Sequence, residues 1–161
     1  MAATYTYAVR YEAEARCSTP LRTGGSDGDT EQILRSWDGT ALLQSSSIAG
    51  AMREHLAALD PDMAEKLFGS QKQSGRLIVS DGVFDADAQC QTRSRLRIDR
   101  ATGTAAAGGK FDVAHLAADS RFSFTLTWLG LTRDEGELRA VEGLLAALHS
   151  GQIRLGGQKS G

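Results

Sequence analysis

Proline is nearly absent from this sequence. Only Pro20 and Pro61 occur in 161 residues, so the eighteen glycines mark turns and close approaches rather than a low-complexity linker. Cysteine is scarce as well. Cys17 and Cys90 stand far apart, which excludes zinc-finger spacing and a disulfide framework and reads as two reduced thiols of a cytoplasmic protein. No apolar run approaches membrane-spanning length, and the N-terminus has no basic stretch followed by an apolar one, so neither a membrane nor a signal peptide is expected. Nor is positive charge in excess. With a formal net charge of −2, any function on nucleic acid has to rest on local patches. What is present, 41% hydrophobic and 24% charged residues, fits one globular domain over residues 1–161.

Residues 3–15 alternate, with Tyr5, Tyr7, Val9, Tyr11 and Ala13 on one face and Arg10, Glu12 and Glu14 on the other. Period two with these residue types predicts a strand with one wet face. A glycine-rich loop follows. The segment 32–43 then suggests a short hairpin turning at Asp38-Gly39. Ile48, Met52, Leu56 and Leu59 predict a helix over roughly 47–59 behind a serine N-cap, and a second short helical turn ends at Gly69. A buried strand is expected over 76–82 and an extended hairpin over 93–112. The clearest strand is 121–128, where Phe122, Phe124, Leu126 and Trp128 share a face. Thr132 and Glu135 suggest a capping box for a helix whose apolar stripe is Leu138, Val141, Leu145 and Leu148, with Asp134, Glu135 and Glu137 suiting its positive end. Residues 152–157 begin a last strand. This order is that of an α+β, ferredoxin-like (RRM-like) βαββαβ domain. It carries a thumb-like hairpin inserted at about 82–118 and a glycine-rich C-terminal loop.

Four places could hold chemistry. Ser45, Ser46 and Ser47 precede a helix start whose free N–H groups and dipole attract phosphate; Gly50 permits close approach and Arg53 lies where it could add a charge. The same residues also read as a plain cap and a surface arginine. The terminal turn with Gly156, Gly157, Lys159 and Ser160 could present backbone N–H groups and a cation to phosphate, or could simply be a frayed end. In the 91–110 arm, Arg93, Arg95, Arg97, Arg100 and Lys110 against the single acid Asp99 give a local charge of +4. That patch suits phosphate neutralisation, or equally a solvated face. Finally, Asp27, Asp29 and Glu31 in a glycine-rich loop could hold Mg²⁺ or another divalent cation beside a phosphodiester; taken alone they read more simply as an acidic turn. His55, His115 and His149 are scattered and make no ligand set.

Five stretches in order resemble the RAMP superfamily of CRISPR effector proteins, most closely the repeated guide-RNA (crRNA)-binding backbone subunit of type III complexes. They are Thr19-Pro20-Leu21-Arg22-Thr23-Gly24-Gly25; Leu43-Gln44-Ser45-Ser46-Ser47-Ile48-Ala49-Gly50-Ala51-Met52-Arg53, with Gln44-Ser45 in place of the family's Pro-Gly; Leu67-Phe68-Gly69 with Gly75-Arg76-Leu77-Ile78-Val79-Ser80-Asp81; Ile98-Asp99-Arg100-Ala101-Thr102-Gly103; and the terminal glycine loop, 156–161. Ala49 replaces the family's lysine, which removes one expected phosphate contact. Family members usually continue through another strand beyond the glycine loop, where this sequence stops at Gly161.

The resemblance implies a subunit of an antiviral effector complex. Its partners are crRNA, target RNA, other effector subunits, and copies of itself or paralogues. The serine-led helix and glycine loop hold guide phosphates, and the 91–110 arm kinks the guide–target duplex. By the same resemblance Asp29, with Asp27 in reserve, cuts target RNA with a divalent metal as an endoribonuclease. The alternatives are a non-catalytic RNA-binding subunit of the same complex, a guide-processing endoribonuclease using His55 or His149, and a ferredoxin-like domain that does not engage RNA.

Overall fold

The two-residue period of Phe122, Phe124, Leu126 and Trp128 has the outcome expected of it: β7 (Arg121–Gly130) buries all four. The computed structural model describes residues 5–24 and 33–156. In chain order the other elements are β1 (Tyr7–Arg16), β2 (Leu42–Leu43), α1 (Ser45–Leu59), α2 (Pro61–Phe68), β3 (Leu77–Val79), β4 (Gly82–Phe84), β5 (Cys90–Ile98), β6 (Ala105–Leu116) and α3 (Glu135–His149). The α+β class with antiparallel pairing is that expected from the sequence. Contacts gather the described residues into two compact units. One comprises 5–14, 44–82 and 123–155; the other comprises 15–24, 33–43, 83–122 and Gly156.

In the first unit β7 is flanked by β1 and β3, and β3 runs antiparallel to it with Leu77 opposite Trp128 and Val79 opposite Leu126. The helices supply the apolar layer: Ile48, Met52 and Leu56 from α1, Ala64 and Leu67 from α2, and Leu138, Val141, Leu144 and Ala147 from α3 are buried. Leu145 and Leu148, assigned to the stripe of α3 from the sequence, are only half-buried, because the buried row advances in steps of three from Leu138. β1 alternates as expected, yet its inward face is half-buried rather than sealed, and Tyr7 is 49% exposed. Tyr11 on that face donates to Glu142 of α3 at 3.4 Å. The opposite face carries Arg10, Glu12, Glu14, Thr125, Thr127, Leu129 and an exposed Ile78. Among the described residues it bears no aromatic ring, so it offers no platform for stacking bases.

One buried polar network ties β7 to α3. Glu137, 2% exposed, accepts from Trp128 Nε1 at 2.7 Å and from Arg76 at 2.8 Å. Two of the motif glycines serve this network. A Cβ on Gly75 would lie 2.6 Å from the carbonyl carbon of Phe68, and one on Gly69, whose φ is +86°, would lie 2.7 Å from Gly75 N. The chain therefore closes back on itself only with glycine at both points, and that closure sets Arg76 at the start of β3.

Four local expectations are corrected. The helix α1 begins at Ser45, and Gln44, not a serine, is its N-cap residue, without a side-chain bond. The capping group of α3 is Asp134, which accepts from Gly136 and Glu137 N–H, rather than Thr132; Asp134 directly precedes the helix, which Thr132 does not. Residues 152–156 form no strand. Gln152 and Ile153 N–H both donate to the Ala147 carbonyl, folding the chain back against the end of α3 and burying Ile153. The single strand expected at 76–82 is two, β3 and β4, parted at Ser80-Asp81.

In the second unit β4 lies between the start of β7 and β2, with Asp85 N–H donating to Arg121 and Phe84 N–H to Ala41. The Phe84 and Phe122 rings pack at 4.9 Å. Leu21 pairs with Leu116 in both directions, and Arg16 is bridged to Asp119 at 2.6 Å. The expected hairpin at 32–43 is present as a tight turn beneath an Arg35–Ala41 bridge. Cys17 is buried, which pushes its thiol up to about 11 and leaves it a poor nucleophile, and Cys90 is an exposed free thiol.

Candidate nucleic-acid interface

The arm expected from the sequence is the β5–β6 ribbon. Every residue of β5 is exposed, and burial begins only at Val113 of β6. Strand alternation puts Arg93, Arg95 and Arg97 on one face, with Val113 opposite Arg93 and Phe111 opposite Arg95. Successive arginines are thus about 7 Å apart along the strand. Thr92, Ser94 and Leu96 occupy the other face, where Ser94 donates to Asp112 at 2.6 Å. Asp99, the one acid within 91–110, is spent on its turn: its carboxylate accepts from Ala101 N–H at 2.7 Å, and Gly103 closes the turn with φ +68°. Arg100 is exposed at that tip and Lys110 is exposed opposite Leu96.

On α1, Ser46, Gly50 and Arg53 fall at helical spacing and are all exposed, opposite the buried Ile48, Met52 and Leu56; Ser47 is exposed and Ser45 half-buried. Gly50 has open space around its Cβ position, so no packing inside the fold requires glycine there. In mid-helix that glycine costs about 1 kcal/mol relative to alanine, a cost the fold does not explain and a close-approaching ligand would.

The terminus of α1 differs from its expected form. Asp81 Oδ1 accepts from Ser45 N–H at 2.7 Å, so a carboxylate already neutralises part of the positive end. Ser47 N–H is turned onto the Gln44 carbonyl at 3.0 Å. The cradle is therefore narrower than three serines in a row suggested. Asp81 was legible only as the last residue of the Gly75–Asp81 stretch, because its partner lies 36 positions away. Asp81→Ala is expected to lower unfolding stability by about 1 kcal/mol, read as an earlier urea midpoint, with Asp81→Asn recovering most of it by keeping an acceptor.

The segment carrying Asp27, Asp29 and Glu31 lies outside the described residues, as do Gly157, Lys159 and Ser160. What precedes and follows the acidic segment is nonetheless fixed. Buried Thr23 accepts through its hydroxyl from Leu34 N–H at 2.9 Å, tying the flanks of residues 25–32 together. Gly156, with φ +112°, sits where a Cβ would meet Leu21 at 3.3 Å and the Arg22 carbonyl at 3.5 Å. The start of the glycine loop and the base of the acidic loop are thus neighbours. Among the described residues no three His, Cys, Asp or Glu side chains converge on a metal-sized site. The carboxylates of Asp27, Asp29 and Glu31 are hard oxygen donors, a set chemically suited to Mg²⁺.

The histidines do not assemble. His55, half-buried, lines a groove of about 410 Å³ with apolar residues of α1 and α3, His149 is exposed at the end of α3, and His115 is buried in β6 with Nε2 unbonded. No described helix is long and apolar enough to cross a membrane.

None of the curated proteins matches this sequence. Among solved structures, a chain of the cryo-EM structure of the Type III-B Cmr-beta bound to cognate target RNA is similar in fold. The TM-score is 0.67 at 15% identity, over 86% of this chain and 51% of that one, so the present chain spans about half the length of its structural neighbour. The model of the RAMP superfamily matches residues 14–161, and with more than half its length so matched, the chain belongs to the RAMP superfamily.

Proposed function

We propose that this protein is a crRNA-binding backbone subunit of a type III CRISPR effector complex. In this reading it grips guide RNA by phosphate and sugar, without reading sequence. The observation that carries it is the β5–β6 ribbon, on which Arg93, Arg95 and Arg97 share one face and are all exposed. Three cations in a row along one edge match a chain of phosphates, and phosphate contacts carry no base information. The exposed Ser46, Gly50 and Arg53 row on α1 supports a second contact with the RNA backbone. The other partners are target RNA, neighbouring effector subunits, and copies or paralogues of this chain.

In the same reading Asp29, with Asp27 in reserve, serves target cleavage. A carboxylate beside a splayed nucleotide accepts the proton of the 2′-hydroxyl as that oxygen attacks the adjacent phosphorus, breaking the bond to the 5′-oxygen of the next nucleotide, which leaves as a hydroxyl on taking a proton from water and leaves a 2′,3′-cyclic phosphate behind. A divalent ion held by these carboxylates would supply charge stabilisation to the phosphate. In a reconstituted complex, Asp29→Ala is expected to reduce target cutting at least 100-fold while guide-bound assembly, followed by native electrophoresis, stays intact. Undiminished cutting would leave a purely structural RNA-binding subunit.

A further inference from the structure

Trp37 is 97% exposed, whereas Trp128 is fully buried. An indole, apolar over its rings and with one N–H donor, is a side chain suited to contact with a ligand. Its setting is rigid. Ser36 N–H donates to the Thr40 carbonyl at 2.8 Å, Gly39 N–H to the Ser36 carbonyl at 3.0 Å, and the Arg35 guanidinium to the Gly39 carbonyl at 2.8 Å. Asp38 accepts from Thr40 N–H at 3.0 Å, a bond that holds its carboxyl below the usual range. Beneath the tip Ile33, Ala41 and Leu43 are buried. The indole is therefore held out on a short, anchored hairpin, and ordering it on a ligand costs little entropy.

A protein anchor and a base-stacking ring are two uses of such a residue. Protein hot spots sit inside a ring of contacts that excludes water. Trp37 has no apolar companion in its turn: Ser36, Asp38, Gly39 and Thr40 surround it. It also shares its unit with the arginine ribbon. A lone, rigid aromatic beside polar backbone matches the way single-stranded nucleic acid is held, one base to one ring. We propose that Trp37 stacks on an unpaired base of the bound RNA. This rests on the RNA-binding reading above and adds a contact to bases that is indifferent to their identity.

The test uses the full chain and a single-stranded oligouridine RNA, with binding read by anisotropy of labelled RNA and indole emission read with unlabelled RNA. Because Trp128 is buried, the red-shifted, acrylamide-quenchable emission belongs to Trp37. RNA is expected to quench that emission and shield it from acrylamide. Trp37→Ala should weaken binding about tenfold, Trp37→Phe should restore most of the loss, and the salt dependence should be unchanged because no phosphate contact is removed. If RNA binds but emission is unaltered, or if Trp37→Ala binds as wild type, stacking is refuted and the RNA-binding reading stands. A blue shift on raising protein concentration without RNA would assign Trp37 to a second copy of the chain and overturn the proposal. Failure of the wild type to bind RNA at all would remove the RNA-binding reading and this inference with it.

Discussion

Replacing Arg93, Arg95 and Arg97 together by alanine is expected to lower affinity for single-stranded RNA about 100-fold, at about 1 kcal/mol for each exposed charge-assisted contact. The slope of log affinity against log salt should flatten by about 2, since each lost phosphate contact on a single strand is worth about 0.7. Filter binding at several salt concentrations measures both. The three side chains project from a ribbon whose β5 is exposed along its whole length, so the unfolding midpoint should hardly move. A loss of affinity with no change in salt slope would show that the arginines do not meet phosphates.

Glu137→Ala is expected to have the largest effect on stability, a loss of about 3–5 kcal/mol, against a total of about 5–15 kcal/mol for a typical domain. Glu137 is the common acceptor for Trp128 Nε1 and Arg76. Its removal strands a buried indole N–H and a partly buried guanidinium at once, and also leaves a cavity. Arg76→Ala should cost less, because the arginine side chain is 40% exposed and can be replaced by water. Glu137→Gln should fall between them, keeping an acceptor for one donor while losing the charge. Urea unfolding of the three variants, monitored by the buried tryptophan, orders them. Equal losses for Arg76→Ala and Glu137→Ala would mean that the ion pair, not the indole bond, dominates.

The sequence showed its periodic elements well. β7, α1 and α3 are each announced by a local apolar period, although Leu59, Leu145 and Leu148 fall outside the buried rows. The errors arise where a partner is distant. Glu137 reads from sequence as a helix-start acid, yet it turns inward because Arg76 and Trp128 converge on it from 61 and 9 positions away. Asp81 reads as the end of a strand motif, yet it caps a helix in place of the serines. The stretch after α3 has strand-forming residues but folds back onto a helix carbonyl. Trp37 carried a signal that could have been used: a tryptophan beside an Asp-Gly turn, in a chain poor in aromatics, has no core to enter.

The arm's exposure also separates two selective demands. A substitution in β1, β7 or the helices must satisfy its packing neighbours before anything else. Along β5 every residue is exposed, so substitutions there meet fewer packing demands. Cations there can be added, moved or removed one at a time, so the strength of the grip can be adjusted in small steps without renegotiating the architecture that holds it.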